Sequence, residues 1–137
     1  KFYFTQLCLM LSKKYKAKCR IMRLFNVYGE GENKKRLWSS LRIAAKSNKN
    51  FKMTNGYQIK DFIKVKDVAK AILDSTNFKK RDNSFPQIWH VASGKAKTVR
   101  SFAKYYWKKY NAKGEIFFGK IRKNDNKNYI SDHKSIW

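Results

Sequence analysis

The chain is 137 residues long and carries 33 Lys and Arg against 9 Asp and Glu, a formal net charge of +24. That length suits one modest core. No secretory signal is visible in these residues and no apolar run nears the roughly 20 residues a membrane-crossing helix needs, so we expect a cytoplasmic protein without a membrane partner.

Apolar residues at positions 4, 7, 8 and 11 recur at helical spacing and predict a first helix over about residues 2–16, ending in a basic run. Residues 19–25 then read as a buried strand, broken by Gly29 and Gly31 into a loop. Leu37, Trp38, Leu41, Ala44 and Ala45 predict a second helix up to about Lys46. Phe51 to Met53 is a short strand, with Asn55-Gly56 as a turn between it and the next. Asp61 to Val65 alternates like a strand, and Asp67 is placed to cap a third helix carrying Val68, Ala71 and Ile72. Polar residues 77–86 predict a surface loop. Ile88 to Val91 is another buried strand, and Thr98 can cap a helix whose stripe is Val99, Phe102, Tyr106 and Tyr110, with Trp107 left over for an interface. Glu115 to Phe118 closes the strands, before a basic, Asn-rich stretch to Trp137. Strands alternating with helices predict an α/β fold with parallel pairing in at least part of the sheet.

Neither Cys8 nor Cys19 has a partner spacing for zinc or redox chemistry, so both are expected to be buried free thiols in a reducing compartment. His90, in an apolar strand, is expected to be a hydrogen-bonded core residue. Only seven of the 33 cations are Arg and the 26 Lys are scattered among Asn. Arginine would be favoured for bases and for bidentate phosphate contacts, so no specific nucleic-acid partner is expected; a basic nucleic-acid-binding module stays as the alternative.

Four blocks stand out in order. They are Arg23-Leu24-Phe25-Asn26-Val27-Tyr28-Gly29, Gln58-Ile59-Lys60-Asp61-Phe62-Ile63-Lys64-Val65-Lys66-Asp67-Val68-Ala69, Trp89-His90-Val91-Ala92-Ser93-Gly94, and Arg122-Lys123-Asn124-Asp125. In an α/β sheet such strand-to-turn junctions are where ligands are held. Together the blocks resemble the extended short-chain dehydrogenase/reductases, the NAD-dependent epimerases and dehydratases that modify nucleotide-linked sugars.

The resemblance implies the carboxyl half of a Rossmann-type parallel sheet plus a small α/β substrate-binding domain, with the N-terminal Gly-x-x-Gly-x-x-Gly unit absent. Residues 1–30 would be the last part of the NAD-binding domain and residues 31–137 mainly the substrate domain. Lys1 falls where the family's Tyr-x-x-x-Lys motif has its lysine, so it would hold the nicotinamide ribose of NAD or NADP and lower the pKa of a tyrosine upstream of this chain. Phe25 would line the nicotinamide ring, or else be a core residue. Asn26 would hold the sugar or diphosphate, or else fix the turn backbone. Lys60 replaces an arginine that contacts the diphosphate; it keeps the charge and loses the bidentate fork, unless it is one more solvated Lys. Asp61 is expected to order its turn. Arg122 and Asp125, with Asn124 in place of the usual Gly, would hold a nucleotide phosphate and a ribose hydroxyl, or form an ion pair.

The implied activity is hydride transfer between NAD(P) and a nucleoside-diphosphate sugar, in an epimerase, dehydratase or 4-keto reductase for polysaccharide synthesis. The resemblance also implies a homodimer of the full-length protein, through the helix after Lys1. Without the phosphate loop and the tyrosine the chain alone is expected to be inert, and a non-catalytic nucleotide-sugar binder is a further alternative.

Overall fold

The computed structural model describes residues 2–77 and 85–120. Helix α1 (Phe2–Lys14) leads to strand β1 (Arg20–Leu24), and Phe25 alone separates it from β2 (Asn26–Tyr28). Then follow α2 (Leu37–Lys46), β3 (Phe51–Met53), β4 (Ile59–Lys60), β5 (Phe62–Lys64), α3 (Val65–Ser75), β6 (Gln87–Val91), β7 (Lys97–Thr98), α4 (Val99–Lys109) and β8 (Ile116–Phe118).

The fold is mixed α/β with parallel pairing. β1 pairs β6, β2 pairs β5 and β3 pairs β8, all parallel, while the short β4 and β7 run antiparallel. Residues 51–53 and 59–60 therefore lie on either side of the Asn55-Gly56 turn without pairing with each other. Gly56 turns there with a φ of +70°, and a Cβ on it would stand 2.8 Å from the backbone nitrogen of Arg100, whose N–H donates to the Gly56 carbonyl.

Two clusters of side chains form the interior. Ile63, Val68, Ala71 and Val91, with Met22 and Val27 beside them, lie between the β1–β6 and β2–β5 pairs and α3. Trp38, Leu41, Phe102, Ala103 and Tyr106 join α2 to α4, against which Phe51, Met53, Phe62 and Ile116 pack. The stripe expected on α4 is thus core. Trp107, for which an interface was expected, is half-buried against this cluster: its indole N–H donates to the Gly114 carbonyl at 2.9 Å and its ring lies 6.2 Å from Phe51.

Helix ends differ in part from expectation. Thr98 does cap α4, its Oγ1 accepting from the Ser101 N–H at 3.0 Å. Asp67 is not the cap of α3, which begins two residues earlier with Lys64 as a cap that makes no side-chain hydrogen bond. The carboxylate sits instead in the first turn, where the helix dipole still favours it. Both cysteines are free, as expected, but only half-buried; Cys8 lies on α1, which does not bury its apolar residues. Phe4 is 71% exposed, and Ser12 is the one buried residue of this helix.

Candidate functional site

Asp61 is the centre from which the site is built. Its side chain is 1% exposed, and its Oδ1 accepts the Ser93 backbone N–H at 2.7 Å. Its backbone carbonyl accepts both the backbone N–H and the side-chain Nδ2–H of Asn26, each at 3.1 Å. Three segments far apart in sequence, Asn26 at the start of β2, Asp61 between β4 and β5, and the Ser93 turn, therefore meet at one residue. This is the ordering role expected of Asp61, extended from its own turn to two others.

Asn26 and Lys60 line one cavity of about 480 Å³. Asn26 enters it from β2, anchored through Nδ2 on Asp61. That bond serves the turn-fixing role, and it also orients the amide so that its carbonyl oxygen and second Nδ2 proton can meet a ligand. Lys60, half-buried on β4, is opposite Lys97 in the antiparallel register. Four cations line the cavity, Lys35, Arg36, Lys52 and Lys60, against the single carboxylate of Glu32. Phe62 and Phe102, stacked with ring centroids 3.9 Å apart and planes 14° from parallel, form an apolar wall. A cavity with an excess of cations, an oriented amide and a flat apolar wall suits an anionic ligand with a planar or ring-bearing part.

Glu32 and Tyr28 were not singled out by sequence reasoning. Burial raises the Glu32 pKa above the usual carboxylate value; Arg36, in ion-pair contact at 2.9 Å, and a hydrogen bond from the Ser39 backbone oppose the rise. Arg36 stands four residues after Glu32, the one sequence signal that could have found the pair. Tyr28 accepts from the Tyr106 hydroxyl at 2.7 Å. Burial raises the Tyr28 pKa, with the bond to Tyr106 working the other way, and burial raises that of Tyr106 as well. Both remain protonated phenols through neutral pH.

Phe25 follows the last residue of β1 and donates its N–H to Val91 at 3.2 Å, with its ring 6.0 Å from that of His90. It is half-buried and lies outside the cavity that Asn26 and Lys60 share. The half-buried Phe25 and His90 rings at the carboxyl end of the parallel β1–β6 pair would suit a flat ring laid across the strand ends. Lys1, Arg122 and Asp125 lie outside the described residues. Among the described residues no group of three or more His, Cys, Asp or Glu could hold a metal, and no helix is long and apolar enough to cross a membrane.

Residues 1–91 match the family model described as the NAD dependent epimerase/dehydratase family. Among solved structures, the chain resembles UDP-glucose 4-epimerase of Thermotoga maritima at 22% identity and a TM-score of 0.79, covering 96% of this chain and 42% of that one. It also resembles UDP-N-acetylglucosamine 4-epimerase of Methanobrevibacter ruminantium, at 22% identity and 0.76, covering 90% and 40%. The UDP-glucose 4-epimerase of Thermus thermophilus, solved with NAD, is similar at 18% and 0.72, covering 94% and 43%. The chain thus spans about two-fifths of the length of these proteins. No curated protein matches it.

Proposed function

Because the chain belongs to the NAD dependent epimerase/dehydratase family, we propose that it is the part of a cytoplasmic nucleotide-sugar enzyme that holds the nucleoside diphosphate while hydride passes between the sugar and NAD or NADP. The observation that carries this reading is the cavity shared by Asn26 and Lys60, with its surplus of positive charge. Lys60 neutralises a phosphate as a point charge, and Asn26, fixed through Asp61, presents its amide to the diphosphate or the sugar. Arg122 and Asp125 take the remaining nucleotide contacts in this reading. The substrate-domain role assigned to residues 31–137 rests on this cavity, although β6 pairs with β1 and so belongs with residues 1–30.

NAD(P), when bound, supplies the hydride acceptor or donor. This chain's part is to wall the ring with Phe25 and to hold the ribose with Lys1, whose charge keeps an upstream tyrosine close to its phenolate form. The exposed apolar face of α1, where Phe4, Leu7 and Leu11 lie, supports the homodimer contact proposed on that helix.

Titration with UDP and UDP-glucose tests the cavity. Lys60→Ala is expected to weaken UDP binding about tenfold, in line with the roughly 1.5–3 kcal/mol of a charge-assisted hydrogen bond partly replaced by water. Equal affinity in the wild type, Lys60→Ala and Asn26→Ala would overturn the assignment.

A further inference from the structure

The Asn55-Gly56 turn is fixed from both sides. A Cβ on Gly56 would meet Arg100 at its backbone nitrogen and Cα, 2.8 and 3.1 Å away, and the φ of +70° is itself costly for any residue with a side chain. Residue 56 therefore has to be glycine. The Gly56 carbonyl accepts the Arg100 N–H at 2.8 Å and the Gln58 carbonyl accepts that of Val99 at 2.9 Å, which ties the turn to the start of α4. Asn55 closes the turn from within, its Oδ1 accepting the Tyr57 N–H at 3.3 Å.

The ring closed by that contact contains both Cγ of Asn55 and the amide nitrogen of Gly56, so an electrophile and a nucleophile are held beside each other. The hydrogen bond to Oδ1 also draws electrons from Cγ. Gly56 has no side chain to shield its nitrogen, and among the described residues no backbone carbonyl accepts its N–H. Asn33 supplies the contrast. Its Oδ1 likewise accepts from two residues on, the Lys35 N–H at 2.9 Å, but the nitrogen between belongs to Lys34 and stands behind a side chain. No other asparagine of the sequence is followed by glycine.

We propose that Asn55 is a site of spontaneous covalent modification, converting to aspartate or isoaspartate in the folded protein. The Gly56 nitrogen gives its proton to a base in solvent and bonds to Cγ of Asn55, while Nδ2 takes up a proton and leaves as ammonia. Water then opens the succinimide. Its attack at Cγ gives aspartate; its attack at the main-chain carbonyl of residue 55 gives isoaspartate, in which the main chain runs through Cβ and Cγ and is longer by one atom. The net change is hydrolysis of one side-chain amide. Either product places a carboxylate between Thr54 and Gln58, which line the cavity of Asn26 and Lys60, and its charge offsets that of Lys52 and Lys60 there. This effect on the cavity, unlike the modification, rests on the nucleotide-sugar reading.

Ageing the folded protein at mildly alkaline pH, with tryptic mapping against fresh protein, tests it. Fragment 53–60 carries Asn55 and fragment 24–34 carries Asn33. Asn55 is expected to convert at least about tenfold faster than Asn33, with isoaspartate detected by enzymatic methyl transfer to the new carboxylate, and to convert more slowly at mildly acidic pH. Asn55→Ser keeps an acceptor for the Tyr57 N–H and has no amide, so its fragment is expected to stay unchanged. Equal rates at Asn55 and Asn33, or an intact Asn55 after ageing, would overturn the proposal. Titration with UDP reads the effect on the cavity separately: aged wild type is expected to bind at least about threefold more weakly than fresh, and aged Asn55→Ser as tightly as fresh Asn55→Ser. Unchanged affinity after full conversion would refute that effect, whereas fresh protein that does not bind UDP would refute the nucleotide-sugar reading while the mapping still decides the modification.

Discussion

At the residue scale, Asp61 and the Tyr28–Tyr106 pair carry the sharpest consequences. Asp61→Ala removes the buried carboxylate that accepts the Ser93 N–H, which should cost about 1–3 kcal/mol in urea unfolding. The same variant should weaken UDP binding, because the strand that anchors Asn26 is no longer tied to the Ser93 turn. The phenols set an alkaline limit. Their pKa values are raised in the folded protein, so the stability they confer is complete below the unfolded value of about 10 and is lost as pH rises through the folded values. Unfolding between pH 8 and 11 should therefore show a decline above about pH 10. Tyr28→Phe/Tyr106→Phe should remove much of that slope, whereas an unchanged slope would assign it to the lysines.

At the scale of elements, β2 is held close to the start of α3 by a glycine. Gly29 has a φ of +146°, and a Cβ there would stand 2.5 Å from Cγ1 of Val65. Gly29→Ala should destabilise by about 1–3 kcal/mol through backbone strain and the clash together. Adding Val65→Ala should restore only the part due to the clash. Thr98→Ala should cost about 0.5–2 kcal/mol through the lost cap on α4, read as a lower Tm. Helices α2 and α4 and the strand at residues 87–91 were legible in the sequence because their apolar spacing matches their burial. So was the convergence of the Asn26 and Lys60 blocks, through the order of their motifs.

What was not legible depends on contacts across the chain. The pairing of β3 with β8 joins residues more than 60 apart, and no local pattern distinguishes it from the adjacent hairpin that Asn55-Gly56 offers on turn chemistry alone. Helix α1 has the spacing of a buried helix, yet the described residues cover little of it. Glu32 was missed because its significance lies in burial, and an acid in a Gly-Glu-Gly-Glu loop carries no sign of that in the sequence.

At the scale of the whole molecule, the +24 charge and the bare face of α1 act together. Sedimentation should show self-association that strengthens with salt, as screening relieves repulsion between copies while apolar contact is kept. Phe4→Ser/Leu7→Ser should return the monomer at every salt concentration. The junction at Asp61 has a further consequence for how the molecule acquires its cavity. Its three tethers span residues 26 to 93, so none of the local pieces can assemble it in advance, and closing it requires β6 to have returned to β1. Occupancy and folding then become one equilibrium: a nucleotide that binds there should raise the melting temperature in step with its concentration, and it should protect the Ser93 amide from hydrogen exchange only as strongly as it protects the chain from global opening.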